Sequence, residues 1–282
     1  MNQRHFTHIV PADLHERQRL SNYIVGKFPF LETGSAAKKA IKKEEIYING
    51  SVGATGDWVV SGTKLEYLSK FKKAQHIDPT INVVYEDDHL LILNKPPGLV
   101  SSGESSKSLQ GLLKSYPSTE IEGSLFYPYL IHRLDRPTSG LIIAARTIEA
   151  RRRLGEMVEN RKITKEYSLI VEGHLDVNCK YIEDSIDDKT AKTEVMSIKH
   201  LTTKDAASYI RVRLHTGRTH QIRKHFLNIG HPLVGDDIYN KDGLSFGRGL
   251  FLMADYLEFE HPVTGDQLVV KMELHSKFWK YL

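Results

Sequence analysis

The residue types that could do chemistry fall in three short segments. The densest is Ile131-His132-Arg133-Leu134-Asp135-Arg136-Pro137-Thr138-Ser139-Gly140-Leu141, which sets a carboxylate between two arginines just before an apolar run. Asp135 is the natural nucleophile or base. An opposite charge a few ångströms away lowers a carboxylate pKa and would keep it ionised. Thr138, Ser139 and Gly140 can bond the loop backbone and fix its shape. The plainer alternative is an Arg–Asp pair that only organises a strand start.

The second segment is Leu214-His215-Thr216-Gly217-Arg218-Thr219-His220-Gln221-Ile222-Arg223-Lys224-His225. Gly217 permits a tight turn and Thr219 can cap a helix. Arg218, His220, Arg223 and Lys224 then crowd a helix N-terminus, which already favours anions, and could cradle a phosphate or Asp135. Three histidines suggest a metal, but His220 and His225 are spaced for different helix faces and no carboxylate lies within a turn. No metal is expected. The third segment is Lys165-Glu166-Tyr167 at a strand start. Tyr167 could stack on a base or move a proton, or serve as an ordinary sheet residue. No nucleophile elbow, phosphate loop or dinucleotide glycine fingerprint is present.

These segments need a scaffold. Val83–Glu86, Leu90–Asn94, Leu141–Ala145, Lys165–Val171, Thr193–Lys199 and Ser208–Leu214 read as strands. Leu109–Lys114, Ala150–Asn160 and Thr219–Ile229 read as helices. Lys95-Pro96-Pro97-Gly98 is a rigid turn, and Gly230 to Tyr239 is a turn-rich loop. The whole predicts an α+β body with a mixed, mainly antiparallel sheet. Ahead of it, Leu14–Leu68 reads as a small α/β module. Arg19, Leu20, Tyr23, Ile24 and Phe28 have helical spacing up to a break at Pro29. A second helix, Ser35–Lys43, spaces Lys38, Lys39, Lys42 and Lys43 to share a face. Asn49-Gly50 marks a hairpin after strand Ile46–Ile48. Residues 69–80, with Lys70, Lys72, Lys73 and Pro79, read as a linker. The expected division is residues 1–75 and 76–282.

The 282 residues are 40% hydrophobic and 26% charged, enough for a buried core and against wholesale disorder. One cysteine, Cys179, excludes a disulfide framework and a cysteine-rich zinc site. No apolar run suits a membrane span or a signal core, so a soluble cytoplasmic protein is expected, with a monomer as default. The net charge of +4 is unevenly placed. Residues 1–75 hold 12 Lys/Arg against 7 Asp/Glu, whereas the rest hold 27 against 28. A basic module beside a near-neutral body suggests a polyanion-binding appendage; a solvated lysine face is the alternative.

In combination and order, the three segments resemble the RluA family of RNA pseudouridine synthases over about Val83 to Glu273. His132-Arg133-Leu134-Asp135 with Thr138-Ser139-Gly140 is similar to that family's catalytic loop, and Lys165-Glu166-Tyr167 to its tyrosine motif. Thr216 to Arg223, with Gly230-His231-Pro232 and Gly235-Asp236, is similar to its third motif, and Asn94 to Gly98 lies upstream. Ser101-Ser102 stands where the family usually has a histidine. Met253 and His215 also depart from it. The resemblance implies isomerisation of uridine in RNA without cofactor or metal, with Asp135, Tyr167 and Arg223 catalytic. Arg223 would pair with Asp135. Tyr167 would stack on the uracil and help take the proton from carbon 5. His132, Arg133, Thr138, Arg218, His220 and Gln221 would contact substrate, Arg133 filling the space of the extracted base. Residues 14–68 resemble an S-four-type RNA-binding domain, with Arg19, Lys38, Lys39, Lys42 and Lys43 on the RNA. Ribosomal RNA is the favoured target and transfer RNA the second. A catalytically dead RNA-binding protein and an unrelated phosphoryl-transfer or hydrolytic enzyme are the rival readings.

Overall fold

The computed structural model describes residues 2–28, 31, 33–71, 78, 80–103, 107–203 and 205–282. It divides into two compact units, Met1–Gln75 and His76–Leu282. No helix among the described residues is long and apolar enough to cross a membrane.

The first unit comprises β1 (Asn2–Ile9), β2 (Gln18–Arg19), α1 (Leu20–Tyr23), α2 (Gly34–Lys42), β3 (Ile46–Ile48), β4 (Ser51–Val52), β5 (Trp58–Val59) and β6 (Lys64–Phe71). Four strands form a sheet in the order β1-β6-β3-β4, and β2 pairs with β5 apart from it. Asn49 and Gly50 take left-handed backbone at φ 47 and 86, which matches the twist a two-residue hairpin needs. Thr33 caps α2 by accepting from the Ala36 N–H. The helix buries Ala37, Ala40 and Ile41 and leaves Lys38, Lys39 and Lys42 in solvent, with Lys43 exposed at its end. Other expectations need correction. The spacing from Arg19 to Phe28 yields one helical turn only, because Gly26 takes φ 73 and bends the chain. Arg19 is an extended residue at the end of β2. Residues 69–71 belong to β6, which pairs along its length with β1, a strand the sequence reading missed. The break at Pro29 and the linker residues Lys72, Lys73 and Pro79 lie outside the described residues.

The second unit contains β7 (Asn82–Glu86), β8 (Leu90–Lys95), α3 (Leu109–Leu112), β9 (Ser124–Leu130), β10 (Ser139–Thr147), α4 (Ile148–Glu159) and β11 (Thr164–Glu172). It continues through β12 (Tyr181–Ile182), β13 (Thr193–Leu201), β14 (Ala207–Leu214), α5 (Gln221–Asn228), β15 (Leu252–Glu260), β16 (Gln267–Lys271) and α6 (Ser276–Trp279). One ten-stranded sheet runs β12-β13-β14-β11-β15-β10-β8-β7, with β16 on β15 and β9 on β10. The fold is α+β with a mixed, mainly antiparallel sheet, as expected. Among the named strands of the described residues, the one parallel pairing joins β10 to β15, through Ser139–Met253 and Gly140–Ala254. β10 is buried along its whole length, which suits its continuous apolar run.

That parallel contact places the site. The Asp135 loop enters β10 beside β15, which also pairs with β11, the strand of Tyr167. Gly140 adopts φ 115, and a Cβ there would collide with the Ala254 carbonyl. Gly140→Ala is expected to cost roughly 2–4 kcal/mol, since both the backbone conformation and the strand approach exclude a side chain. Denaturant unfolding of the variant checks this, and an unchanged midpoint would show that the strands can separate freely.

Candidate active site

The loop between β9 and β10 leaves the sheet at His132 and returns at Ser139. Its shape is set by braces from outside it. Lys95, fully buried at the end of β8, donates Nζ to the carbonyls of Pro96, Leu99 and Arg136 at 2.9, 2.8 and 3.3 Å. Burial pushes the Lys95 ammonium down to about 8, against the opposing pull of Asp135. The Gly98 N–H reaches the Arg136 carbonyl at 2.7 Å. Ser101 grips Leu134 twice: its Oγ accepts from the Leu134 N–H at 3.0 Å and donates to the Leu134 carbonyl at 2.7 Å. Leu134 itself is buried in the main core. With both neighbours fixed, Asp135 has little freedom to move.

Asp135 opens into a cavity of about 460 Å³, whose wall includes Tyr167, His220, Arg223, Arg218 and Arg133. Its side chain is 18% exposed and lies 3.8 Å from His220 Nε2. Its carboxylate makes no hydrogen bond among the described residues, so it remains uncommitted. Tyr167 is almost fully buried. Burial and the charge of Asp135 both raise its phenol, so the ring is neutral at any ordinary pH. A bulge in the β11–β15 pairing between Glu166 and Tyr167 aims this residue. Glu166, one residue earlier, points to the opposite face and takes hydrogen bonds from Arg211 and Arg213.

Arg223 is completely buried. It donates Nε and Nη2 to the two oxygens of Asp236 at 2.6 and 2.5 Å. Burial works against the guanidinium charge, but the Asp236 bonds and the field of Asp236 and Asp135 hold its pKa above the ordinary value. Burial likewise opposes the Asp236 carboxylate, yet Arg223 and the Tyr239 and Ile238 N–H groups bring its pKa below the usual range. The expected direct Arg223–Asp135 pair is therefore corrected. Arg223 is bound to Asp236 and reaches Asp135 through its field. Its Nη1 is buried and has no partner among the described residues. The ring of Tyr239 lies 5.0 Å from the guanidinium carbon, and its hydroxyl meets His220 Nδ1 at 3.0 Å.

Other candidates behave differently from expectation. Neither Arg133 nor Arg136 ion-pairs with Asp135; Arg133 is exposed on the cavity wall and Arg136 donates to the Gly98 carbonyl. His132 lines the cavity, but its Nε2 accepts from the Ile143 N–H at 3.2 Å. Burial and nearby Lys165 hold it neutral, so it ties the loop to β10. Thr138 closes the turn with its N–H on the Asp135 carbonyl at 3.1 Å, while the hydroxyls of Thr138 and Ser139 have no partner among the described residues and so do not brace the loop there. Thr219 does not cap α5: His220 holds that position at φ 56, and the helix starts at Gln221. The Gln221 amide is saturated by Thr216, the Arg218 N–H, the Lys192 carbonyl and Thr193, so it is structural and offers nothing to a substrate. Arg218 donates Nε to the Thr190 carbonyl at 3.1 Å and also lines the cavity. His225 is buried against Thr193 and the Asp184 carbonyl, and His215 pairs with Glu194.

The sequence reading missed Lys95, Ser101, Asp236 and Tyr239 as working residues. It also passed over Lys165, two residues before Tyr167 and so on the same strand face. Lys165 lines the cavity without an ion-pair partner among the described residues, and burial lowers its ammonium to about 8.

The family model described as RNA pseudouridylate synthase matches residues 89–228, which include Asp135, Tyr167 and Arg223. A ribosomal large subunit pseudouridine synthase D of Buchnera aphidicola is 32% identical over 94% of this chain and 93% of its own length. The chain belongs to the RNA pseudouridylate synthase family. This synthase is also 30% identical to the ribosomal large subunit pseudouridine synthase D of Escherichia coli, over 92% of this chain and 86% of that one. It shares its fold with human RNA pseudouridylate synthase domain containing 4, at a TM-score of 0.53 and 21% identity, over 70% of this chain and 90% of that one.

Asp236→Asn in this synthase leaves the Arg223 charge buried without its partner. A loss of about 3–5 kcal/mol is expected at neutral pH, because breaking one side of a buried pair strands the other. The lowered Asp236 pKa means its contribution is present above the unfolded value and is lost as pH falls through the folded one. The variant's stability should therefore fall less steeply than wild type on acidification below about pH 4. Unfolding midpoints across that range test both parts.

Proposed function

We propose that this synthase isomerises uridine to pseudouridine in large-subunit ribosomal RNA, with Asp135 as the essential carboxylate. The observation that carries the reading is the setting of Asp135. It is a rigidly held carboxylate, without a hydrogen bond among the described residues, facing a cavity that Tyr167, His220 and Arg223 also line, with the charge of buried Lys95 nearby. Attack on the base, attack on the sugar and removal of the ribose 2′ proton all begin from an ionised carboxylate in this position. The bond from C1′ to N1 then breaks with its electron pair on the base. The base turns, C5 bonds to C1′, and the C5 proton leaves while N1 takes one up, so no atom is gained or lost.

Arg223 is read as holding the field at Asp135 and His220 as its nearest polar neighbour. Tyr167 is read as the surface on which the uracil stacks. Its neutral phenol favours stacking over proton abstraction at C5. Arg133, exposed beside the cavity, is free to occupy the space of the extracted base, whose unstacking costs a few kcal/mol. Composition is unchanged, so the reaction consumes no oxidant or reductant. The ribosomal target is supported by the near-full-length match to relatives named for the large ribosomal subunit. That substrate also favours a cytoplasmic location. A monomer is proposed as the working unit.

The N-terminal unit is read as an S-four-type RNA-binding appendage. Its support is the α2 face of Lys38, Lys39 and Lys42, continued by Lys43, all exposed, with Arg19 exposed on β2.

Asp135→Asn should abolish pseudouridine formation while RNA binding persists, because it removes the anion and keeps the shape. Mapping pseudouridine in ribosomal and transfer RNA, from cells lacking the protein and complemented with either form, reads this directly. Sites restored by the variant would refute the role of Asp135, and lost sites confined to transfer RNA would refute the ribosomal target. Replacing Lys38, Lys39, Lys42 and Lys43 together by Gln should weaken RNA binding and reduce the slope of log affinity against log salt by about one per lost phosphate contact. An unchanged slope would remove that helix face from the RNA interface.

A further inference from the structure

Trp58 lies on β5 in the small β2–β5 ribbon and is 42% exposed. Two guanidinium groups attend its ring, with Arg17 4.5 Å and Arg19 4.1 Å from the centroid. Arg19 is the direct cross-strand partner of Trp58, and Arg17 stands two residues before it, just ahead of β2, so both can reach one indole. Arg19 also donates to the Gly56 carbonyl, which fixes its plane. Neither arginine has an ion-pair partner among the described residues. The adjacent carboxylate of Asp57 is turned away to accept from the Ala54 N–H at 2.7 Å.

We propose that Trp58, Arg17 and Arg19 form a stacking platform for an unpaired nucleotide of the RNA substrate, outside the Asp135 cavity. The inference rests on the reading of this chain as an RNA-modifying enzyme. An arginine–indole stack offers a planar guanidinium or indole surface on which any base can stack, and the remaining arginine N–H groups lie at its edge for a phosphate. A purely structural stack would account for the ring contacts. It would not require two cations left without anions in a unit that already carries a positive excess, nor an indole left open to solvent. Duplex RNA hides its base faces, so the expected ligand is a single-stranded or splayed segment.

The test uses the full chain carrying Trp279→Phe, so that Trp58 is the sole tryptophan. The probe is a short oligoadenylate, which has no uridine for the Asp135 cavity, with an RNA duplex of equal length as control. Oligoadenylate should quench Trp58 emission where the duplex does not. Trp58→Ala should weaken oligoadenylate binding on the order of tenfold, and Trp58→Phe, which keeps a ring, should weaken it less. Arg17→Gln and Arg19→Gln should each lower the salt slope by about one. Unchanged emission on binding, or equal losses from Phe and Ala in variants whose thermal unfolding matches wild type, overturns the proposal. So does a Trp58→Ala effect that appears only as unfolding of the N-terminal unit with affinity retained when it is folded. Binding is read without turnover. A chain that forms no pseudouridine but shows the quenching therefore supports the platform while overturning the function it serves.

Discussion

A guanidinium with no exposed surface must find a carboxylate or cost several kcal/mol, and Arg223 finds Asp236. This pair organises one side of the site. It docks the loop after α5 against the helix and lets Asp236 collect the N–H groups of Ile238 and Tyr239. Tyr239 is thereby placed over the guanidinium with its hydroxyl on His220. The ring of His220, in a left-handed position at the head of α5, then faces Asp135. A buried ion pair is a poor source of net stability. Its value here is that a positive charge sits near the Asp135 carboxylate without being consumed by it.

The other side of the site obeys a complementary constraint. The Asp135 side chain takes no part in holding its own loop, so the restraints come from other residues. Lys95 collects three carbonyls, Ser101 clamps Leu134 from both ends, and neutral His132 takes a backbone N–H of β10. The energetic cost of burying Lys95 is offset by carbonyl dipoles and by the charge of Asp135. The same economy applies to Gln221, whose four bonds shape the loop from Thr216 to His220 and leave nothing over for RNA. Residues that looked like ligands of a substrate turn out to be the frame that presents the few that remain free.

Much of this was legible in the chain. Apolar runs such as Leu141–Ala145 marked buried strands, Asn49-Gly50 marked a hairpin, and lysines at helical spacing marked an exposed face, because each signal depends on near neighbours. The misses have equally physical causes. β1 pairs with β6 across more than fifty intervening residues, a distance no local pattern spans. Gly26 ended a helix that the spacing of Leu20, Tyr23 and Ile24 favoured. Tyr239 read as part of an ordinary turn and Asp236 only as the end of a motif, since nothing near them in sequence announces a buried arginine.

The order and type of residues determined which groups could react: one loop carboxylate, one strand tyrosine and one helix arginine, set in a mixed sheet behind a basic module. The tertiary structure alone decided who pairs with whom. Arg223 went to Asp236 rather than Asp135, because buried charges pair with the nearest carboxylate that can meet them in bidentate geometry, and that partner is thirteen residues on, around a loop. Asp135 was left uncommitted because Lys95, Ser101 and His132, remote or differently aimed, restrain the loop in its place. Composition and spacing specify chemical capacity. Pairing depends on distances that exist only once the sheet has closed.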